Sequence, residues 1–131
     1  MAANTTPVFS LTPFDAGLTF ASTDTTTRKT VYTAGTNGSR VDGLVVSTSD
    51  TAAVNLAFYI NDTTTDYYIG VVTVPIGSGY TTVVRVDALA TLAPPGFKAL
   101  VLKAGYLLKC NCVATMSAAV TTTVVAIGGD F

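Results

Sequence analysis

Tyr106-Leu107-Leu108-Lys109-Cys110-Asn111-Cys112-Val113-Ala114-Thr115 is the stretch that decides the fold class. Successive side chains of an extended chain point to opposite faces, so Tyr106, Leu108, Cys110, Cys112 and Ala114 share one face. Lys109, Asn111 and Thr115 lie on the other. That is a period of two with one wet side, the pattern of a half-buried strand. Val54, Leu56, Phe58 and Ile60 alternate in the same way with Asn55, Ala57 and Tyr59.

From these anchors the same reading extends along the chain. Val54–Ile60 leads through Asn61-Asp62-Thr63-Thr64-Thr65-Asp66 into the apolar run Tyr67–Val74, which predicts a hairpin. Pro75 and Gly77-Ser78-Gly79 end it. Further strands are expected at Leu18–Ala21, Thr30–Ala34, Val41–Thr48, Thr81–Val86, Ala99–Leu102 and Thr122–Ile127. Asn37-Gly38 marks a turn between the second and third of these, and Lys103-Ala104-Gly105 a tight connection into Tyr106. Asp87–Leu92 is expected to make a helical turn that Pro94-Pro95-Gly96 stops. The sum is an all-β chain of about eight or nine short strands, a jelly-roll-like β-sandwich, with an immunoglobulin-like topology as the other arrangement compatible with the count. Residues 1–17, with Pro7 and Pro13, read as an extended N-terminal arm, and 18–131 as one sandwich domain.

Composition narrows the chemistry. The 131 residues include no His, Glu, Gln or Trp, and only 11% are charged, against about 25% in an ordinary globular protein. General acids and bases, metal ligands and activated nucleophiles are therefore scarce, and no enzyme activity or cofactor is expected. The seven basic residues are scattered, with no run beyond Arg28-Lys29, so no nucleic-acid partner is expected. Nor is a membrane span, for want of a long apolar stretch. The N-terminal residues lack a secretory pattern, which gives the expectation of a protein made and kept in a cytoplasm. A net charge of −1 provides little repulsion between copies and suits faces covered by neighbours.

Four smaller constellations have plain explanations. Cys110 and Cys112 share a strand face, where disulfide geometry is rarely met, and read as buried thiols. Asp62 and Asp66 depart from calcium-loop spacing and read as hairpin-turn residues. The Asn-x-Ser/Thr matches at Asn4, Asn37 and Asn61 carry no meaning without secretion. Tyr59, Tyr67 and Tyr68 gather near the hairpin, where cross-strand packing accounts for them and a carbohydrate-stacking patch is the alternative.

Two stretches stand out together: Tyr32-Thr33-Ala34-Gly35-Thr36-Asn37-Gly38-Ser39-Arg40-Val41-Asp42-Gly43, and Leu102–Lys109 with the ending Val124-Val125-Ala126-Ile127-Gly128-Gly129-Asp130-Phe131. With Phe58–Asp62 and Tyr67–Gly70 between them, and the opening Thr-Pro-Val-Phe, their order resembles a family of small virion proteins of tailed bacteriophages and prophages. The resemblance runs over nearly the whole chain, carried by the order of short turn-like motifs. It implies a jelly-roll head decoration (cement) protein on the capsid surface, bound to the major capsid protein and to itself as a homo-oligomer, with a trimer expected. It carries over no catalytic residue. On this reading Pro7, Phe9, Leu11 and Phe14 of the arm, with Asn37 and Arg40 of the Gly35–Arg40 loop, are expected to contact the shell or sister subunits. A tail or fibre module that binds host carbohydrate is the alternative, and a non-virion interaction module a third.

Overall fold

A computed structural model describes residues 12–95 and 98–131. Nine strands and one short helix follow in order: β1 Thr12–Ala21, β2 Lys29–Thr33, β3 Ser39–Thr48, β4 Val54–Asn61, β5 Asp66–Val74, β6 Val86–Asp87, α1 Leu89–Leu92, β7 Leu100–Leu102, β8 Leu107–Cys112 and β9 Thr121–Asp130. They form two antiparallel sheets. The first runs β1-β9-β3-β6, with β7 pairing the other end of the same side of β3; the second runs β2-β8-β4-β5.

This order is a jelly roll. Its pairs nest as a long hairpin rolled on itself: β4 with β5, β3 with β6 and β7, β2 with β8, and β1 with β9. The outer sheet position that one strand fills in the simplest eight-stranded roll is here split into β6 and β7 by the excursion that carries α1. The nine strands read from the sequence thus resolve into two sheets packed face to face.

Alternation sets which residues fill the space between the sheets. Leu108, Cys110 and Cys112 of β8 point inward, as do Leu44 and Val46 of β3, Leu56 and Phe58 of β4, and Val124 and Ala126 of β9. Phe20, Phe58, Leu44, Leu56 and Leu108 are fully buried. Three bulges bend the strands: Val31 in β2, Asp42 in β3 and Ile69 in β5 are the extra residues against β8, β9 and β4.

Several boundaries differ from expectation, each for a physical reason. The first strand begins at Thr12 rather than Leu18, so residues 12–17, read as part of the arm, pair with β9. Phe14, Ala16, Leu18 and Phe20 are its inward series, and Pro13 is tolerated because the strand lies at a sheet edge. The strand expected at Thr81–Val86 is only Val86–Asp87; Gly77 (φ 67°) and Gly79 (φ 81°) fold the preceding residues into turns. The turns at Asn37-Gly38 and Lys103-Ala104-Gly105 form, but each carries the chain from one sheet to the other instead of closing a hairpin. Gly38 takes φ 90°, and a side chain there would press on Leu102 O at 2.8 Å. Asp87 Oδ1 accepts the Leu89 N–H at 3.1 Å, which starts α1.

Candidate interaction surfaces

The residues expected to make contacts fall out as follows. Pro7, Phe9 and Leu11 lie outside the described residues. Phe14 is stacked on Tyr32 inside its own subunit, ring centroids 3.7 Å apart and planes 10° from parallel. Tyr32 Oη donates to Asp130 Oδ1 at 2.5 Å, Ser39 Oγ donates to the same oxygen, and Gly35 N–H donates to Ser39 Oγ at 3.0 Å. Phe131 N–H closes the group by donating to Gly38 O at 3.1 Å. Phe14 and the 35–39 turn therefore meet at one end of the sandwich. Asn37 is exposed at the tip of that turn. Arg40 is exposed beside it and ion-paired with Asp42 at 2.6 Å.

That end is fixed by buried or paired polar groups. The Ser39 and Tyr32 hydroxyls hold the Asp130 carboxyl below its ordinary range, whereas burial and the adjacent Asp130 push the Tyr32 phenol up. No sequence signal pointed to this cluster, because Tyr32 and Asp130 are 98 residues apart and Ser39 and Asp130 are 91 apart.

At the β4–β5 hairpin the carboxylates are spent on the turn. Asp62 Oδ1 accepts the Thr64 and Thr65 amides at 3.0 and 2.7 Å, and Asn61 Oδ1 accepts the Thr63 amide at 2.6 Å. Asp66 accepts from Arg28 at 2.8 Å and from Asn61 Nδ2 at 2.6 Å, and Lys109 Nζ lies 3.9 Å away. The Arg28 guanidinium covers the Tyr59 ring at 4.0 Å, and Tyr59 meets Tyr68 edge-on at 5.9 Å. Tyr59 and Tyr68 are thus cross-strand neighbours, with Tyr68 still 61% exposed.

The segment 75–85 was not foreseen as a surface feature. Its backbone is tightly bonded: Gly77 N–H to Asp50 O at 3.2 Å, Thr48 N–H to Ser78 O at 2.9 Å and Gly79 N–H to Val83 O at 2.8 Å. Its apolar side chains nonetheless face solvent, with Ile76, Tyr80 and Val84 all more than half exposed. High β propensity in Thr81–Val86 disguised it as a strand; the paired glycines at 77 and 79 were the signal for a turn.

Seven of the eight aspartates have a polar partner within the subunit. Besides Asp42, Asp62, Asp66, Asp87 and Asp130, Asp24 accepts the Ala21 amide at 2.8 Å. Asp50, almost fully buried, binds Ser117 Oγ at 2.7 Å and the Ala52 amide at 3.0 Å. Burial pushes the Asp50 carboxyl up, but those hydrogen bonds outweigh it and the carboxyl titrates below its ordinary range. A cleft lined by Asp42, Asp87, Leu89 and Lys98 gathers opposite charges, but Asp42 is paired with Arg40 and Asp87 accepts the Leu89 amide.

A pH profile follows from these groups. Asp62, Asp66 and Asp130 all sit below the ordinary 3.8, through the Thr65 and Thr64 amides, through Arg28, and through Ser39 respectively. Their contribution is present above 3.8 and is lost as pH falls through the lower folded-state values. Burial pushes the Cys112 thiol from 9.0 up to about 11, and Cys110 further still. That contribution is present below 9.0 and is lost as pH rises through the folded values. Melting temperature should be level between these limits and fall on both sides, as scanning calorimetry over pH would measure.

Both cysteines are free and essentially solvent-inaccessible. A thiol-reactive chromogenic disulfide should label neither in the native protein and both after denaturation, and reductant should leave the melting temperature unchanged. Comparison with known proteins gave no matching family model and no matching curated protein.

Proposed function

We propose that the protein is a non-enzymatic structural component of a bacteriophage particle, a head decoration protein that binds the major capsid protein and assembles as a homo-oligomer. The observation that carries this reading is the division of labour among side chains. Six of eight carboxylates are committed to turns, strand ends and the start of α1, and a seventh, Asp42, pairs with Arg40 on the surface. The outward surface offers uncharged residues instead, including an ordered loop that presents Ile76, Tyr80 and Val84. A rigid β scaffold with uncharged contact faces and no reacting groups suits a clamp on another protein. The jelly roll is also a recurrent scaffold of capsid proteins, an analogy of fold only. Repeated sites on a shell would add multivalent gain to modest single contacts.

The test is co-sedimentation with emptied heads. The full chain should pellet with heads and saturate at a fixed ratio, and a chain lacking residues 2–11 should keep its melting temperature while losing most of that binding. Failure of the full chain to pellet would count against the head-binding role; full retention by the shortened chain would remove the N-terminal residues from it.

A second reading, a tail or fibre module for host carbohydrate, is favoured by one observation: Tyr68 is 61% exposed and meets Tyr59 edge-on, with Arg28 covering the Tyr59 ring. It predicts binding to host surface glycan that Tyr68→Ala removes.

A further inference from the structure

The sheet edges are not alike. β6 and β7 are short and interrupted by α1, β2 is five residues long and bulged, and β5 is bulged and covered by α1, whose Leu92 lies against Gly70. β1 instead runs for ten residues in unbroken register with β9. Sheets are ordinarily protected at their edges by short strands, bulges, lysines, prolines or covering elements, since an open edge pairs with any other. Within β1 only Pro13 and the lone carboxylate of Asp15 serve that purpose.

Which backbone groups of β1 are open can be worked out from the ladder. Alternate residues of an antiparallel strand turn their N–H and C=O groups to opposite sides. Thr121 O accepts from Ser49 N–H at 2.9 Å and Phe131 N–H donates to Gly38 O at 3.1 Å, so the odd residues of β9 face β3 and the even ones face β1. The register Thr12 to Asp130 then turns the even residues of β1 toward β9 and the odd ones outward. Two outward groups are occupied: Lys29 Nζ donates to Thr19 O at 3.0 Å, and Ala21 N–H donates to Asp24 Oδ2 at 2.8 Å. Lys29 and Asp24 are themselves paired at 2.8 Å, forming a clasp at the end of the edge. Between Pro13 and the clasp remain Pro13 O, both groups of Asp15, both groups of Gly17, and Thr19 N–H, and no described residue bonds to them.

We propose that this window pairs with the same window of a second copy, β1 against β1, antiparallel across a two-fold axis between the two Ala16 residues. In that register Asp15 exchanges both its hydrogen bonds with Gly17 of the second copy, and Gly17 with Asp15. Pro13 stands opposite Thr19, a pair that makes one bond alone: proline has no N–H, and the Thr19 carbonyl already has Lys29. Every open group is satisfied. A slip by one pleat one way sets Asp15 against Asp15, like charges directly opposed. A slip the other way asks for the Thr19 carbonyl and the Ala21 N–H, both taken.

The inner face agrees with the same register. Phe14, Ala16 and Leu18 are only partly buried, with no described strand beyond them in the sheet. In the pair, Phe14 lies beside Leu18 of the second copy and Ala16 beside Ala16, in the closer-spaced positions of the ladder. The chain's net charge of −1 opposes this association little. The two-fold pair takes the place of the three-fold ring that the resemblance implies, and it stands whether or not the protein binds heads.

The test is solution mass by light scattering after size exclusion over a dilution series. The full chain should run as twice its 13.4 kDa, or another even multiple, and Gly17→Pro should halve that mass while circular dichroism shows the same folded β content. Among the described residues the Gly17 N–H has no acceptor, and no described atom lies within 4 Å of a Cβ placed there. Gly17→Asp, which opposes Asp15 of the second copy twice, should weaken the pair about tenfold, while Gly17→Lys should retain it. Removal of residues 2–11 should leave the mass unchanged. A monomeric or three-fold wild type, or an unchanged mass in Gly17→Pro, would overturn the proposal. So would a mass that doubles or halves on removing residues 2–11, since that would make those residues the occupant of the edge.

Discussion

Gly128→Ala is expected to leave little or no folded protein, the largest effect of any single methyl group in the chain. Gly128 lies in β9, in register with Phe14 of β1 on one side and Val41 of β3 on the other. Beside it β3 bulges at Asp42, and a Cβ on Gly128 would be driven into the Arg40 carbonyl oxygen and to within 3.0 Å of Phe14 Cζ. The obstacle is backbone in a central strand, which has no rotamer to escape into. Overpacking that side chains can absorb costs about 1–3 kcal/mol; an overlap with backbone that cannot give way exceeds that range and approaches the whole of a stability of about 5–15 kcal/mol. Soluble yield and circular dichroism would measure it. Gly17→Ala, at the open edge, is the matched control and should be nearly silent.

The second large effect is Phe58→Ala. Phe58 is fully buried at the centre of β4, between Gly70 of β5 and Cys110 of β8 in the ladder. Removing its ring forfeits the burial and leaves a cavity that rigid sheets on either side cannot close, a loss of about 3–5 kcal/mol. Thermal denaturation should show the melting temperature lowered by roughly 10–20 °C. Phe58→Leu, which keeps most of the volume, should recover the greater part of it.

These two sites also mark what was legible in the chain. Phe58 could be placed in the core from alternation alone, because its strand has one apolar and one polar face. The requirement for glycine at 128 could not, since it arises from a bulge in a strand that lies some eighty residues earlier. The same division holds elsewhere. Strand identity follows local pattern, and even β1 carries its period-two series Phe14, Ala16, Leu18 and Phe20; Pro13 and Gly17 masked it. Pairing depends on contacts distant in sequence, so the Asn37-Gly38 turn was visible while its passage between sheets was not. In Thr81–Val86, β-branched residues serve an exposed loop, where bonds made by Gly77, Ser78 and Gly79 override propensity.

The candidate surfaces divide along the same line. Asn61, Asp62 and the tyrosines of the hairpin were readable because their partners lie within a few residues. The Tyr32–Ser39–Asp130 group joins segments that the sequence keeps apart, whereas the Lys29–Asp24 clasp on β1 is local and went unread because the strand it closes was masked. Phe14 stacks on Tyr32, a contact that joins β1 to β2 across the two sheets and that no local pattern announces.

The central claim is that this chain is a structural part of a virus particle. The most direct measurement is quantitative mass spectrometry of phage particles purified from a culture, lytic or induced, of the strain that carries its gene. The account predicts many copies per particle, in a fixed ratio to the major capsid protein and lost together with no other shell component when the protein is stripped from the surface. Particles that are complete and infectious yet contain none of it would contradict the claim.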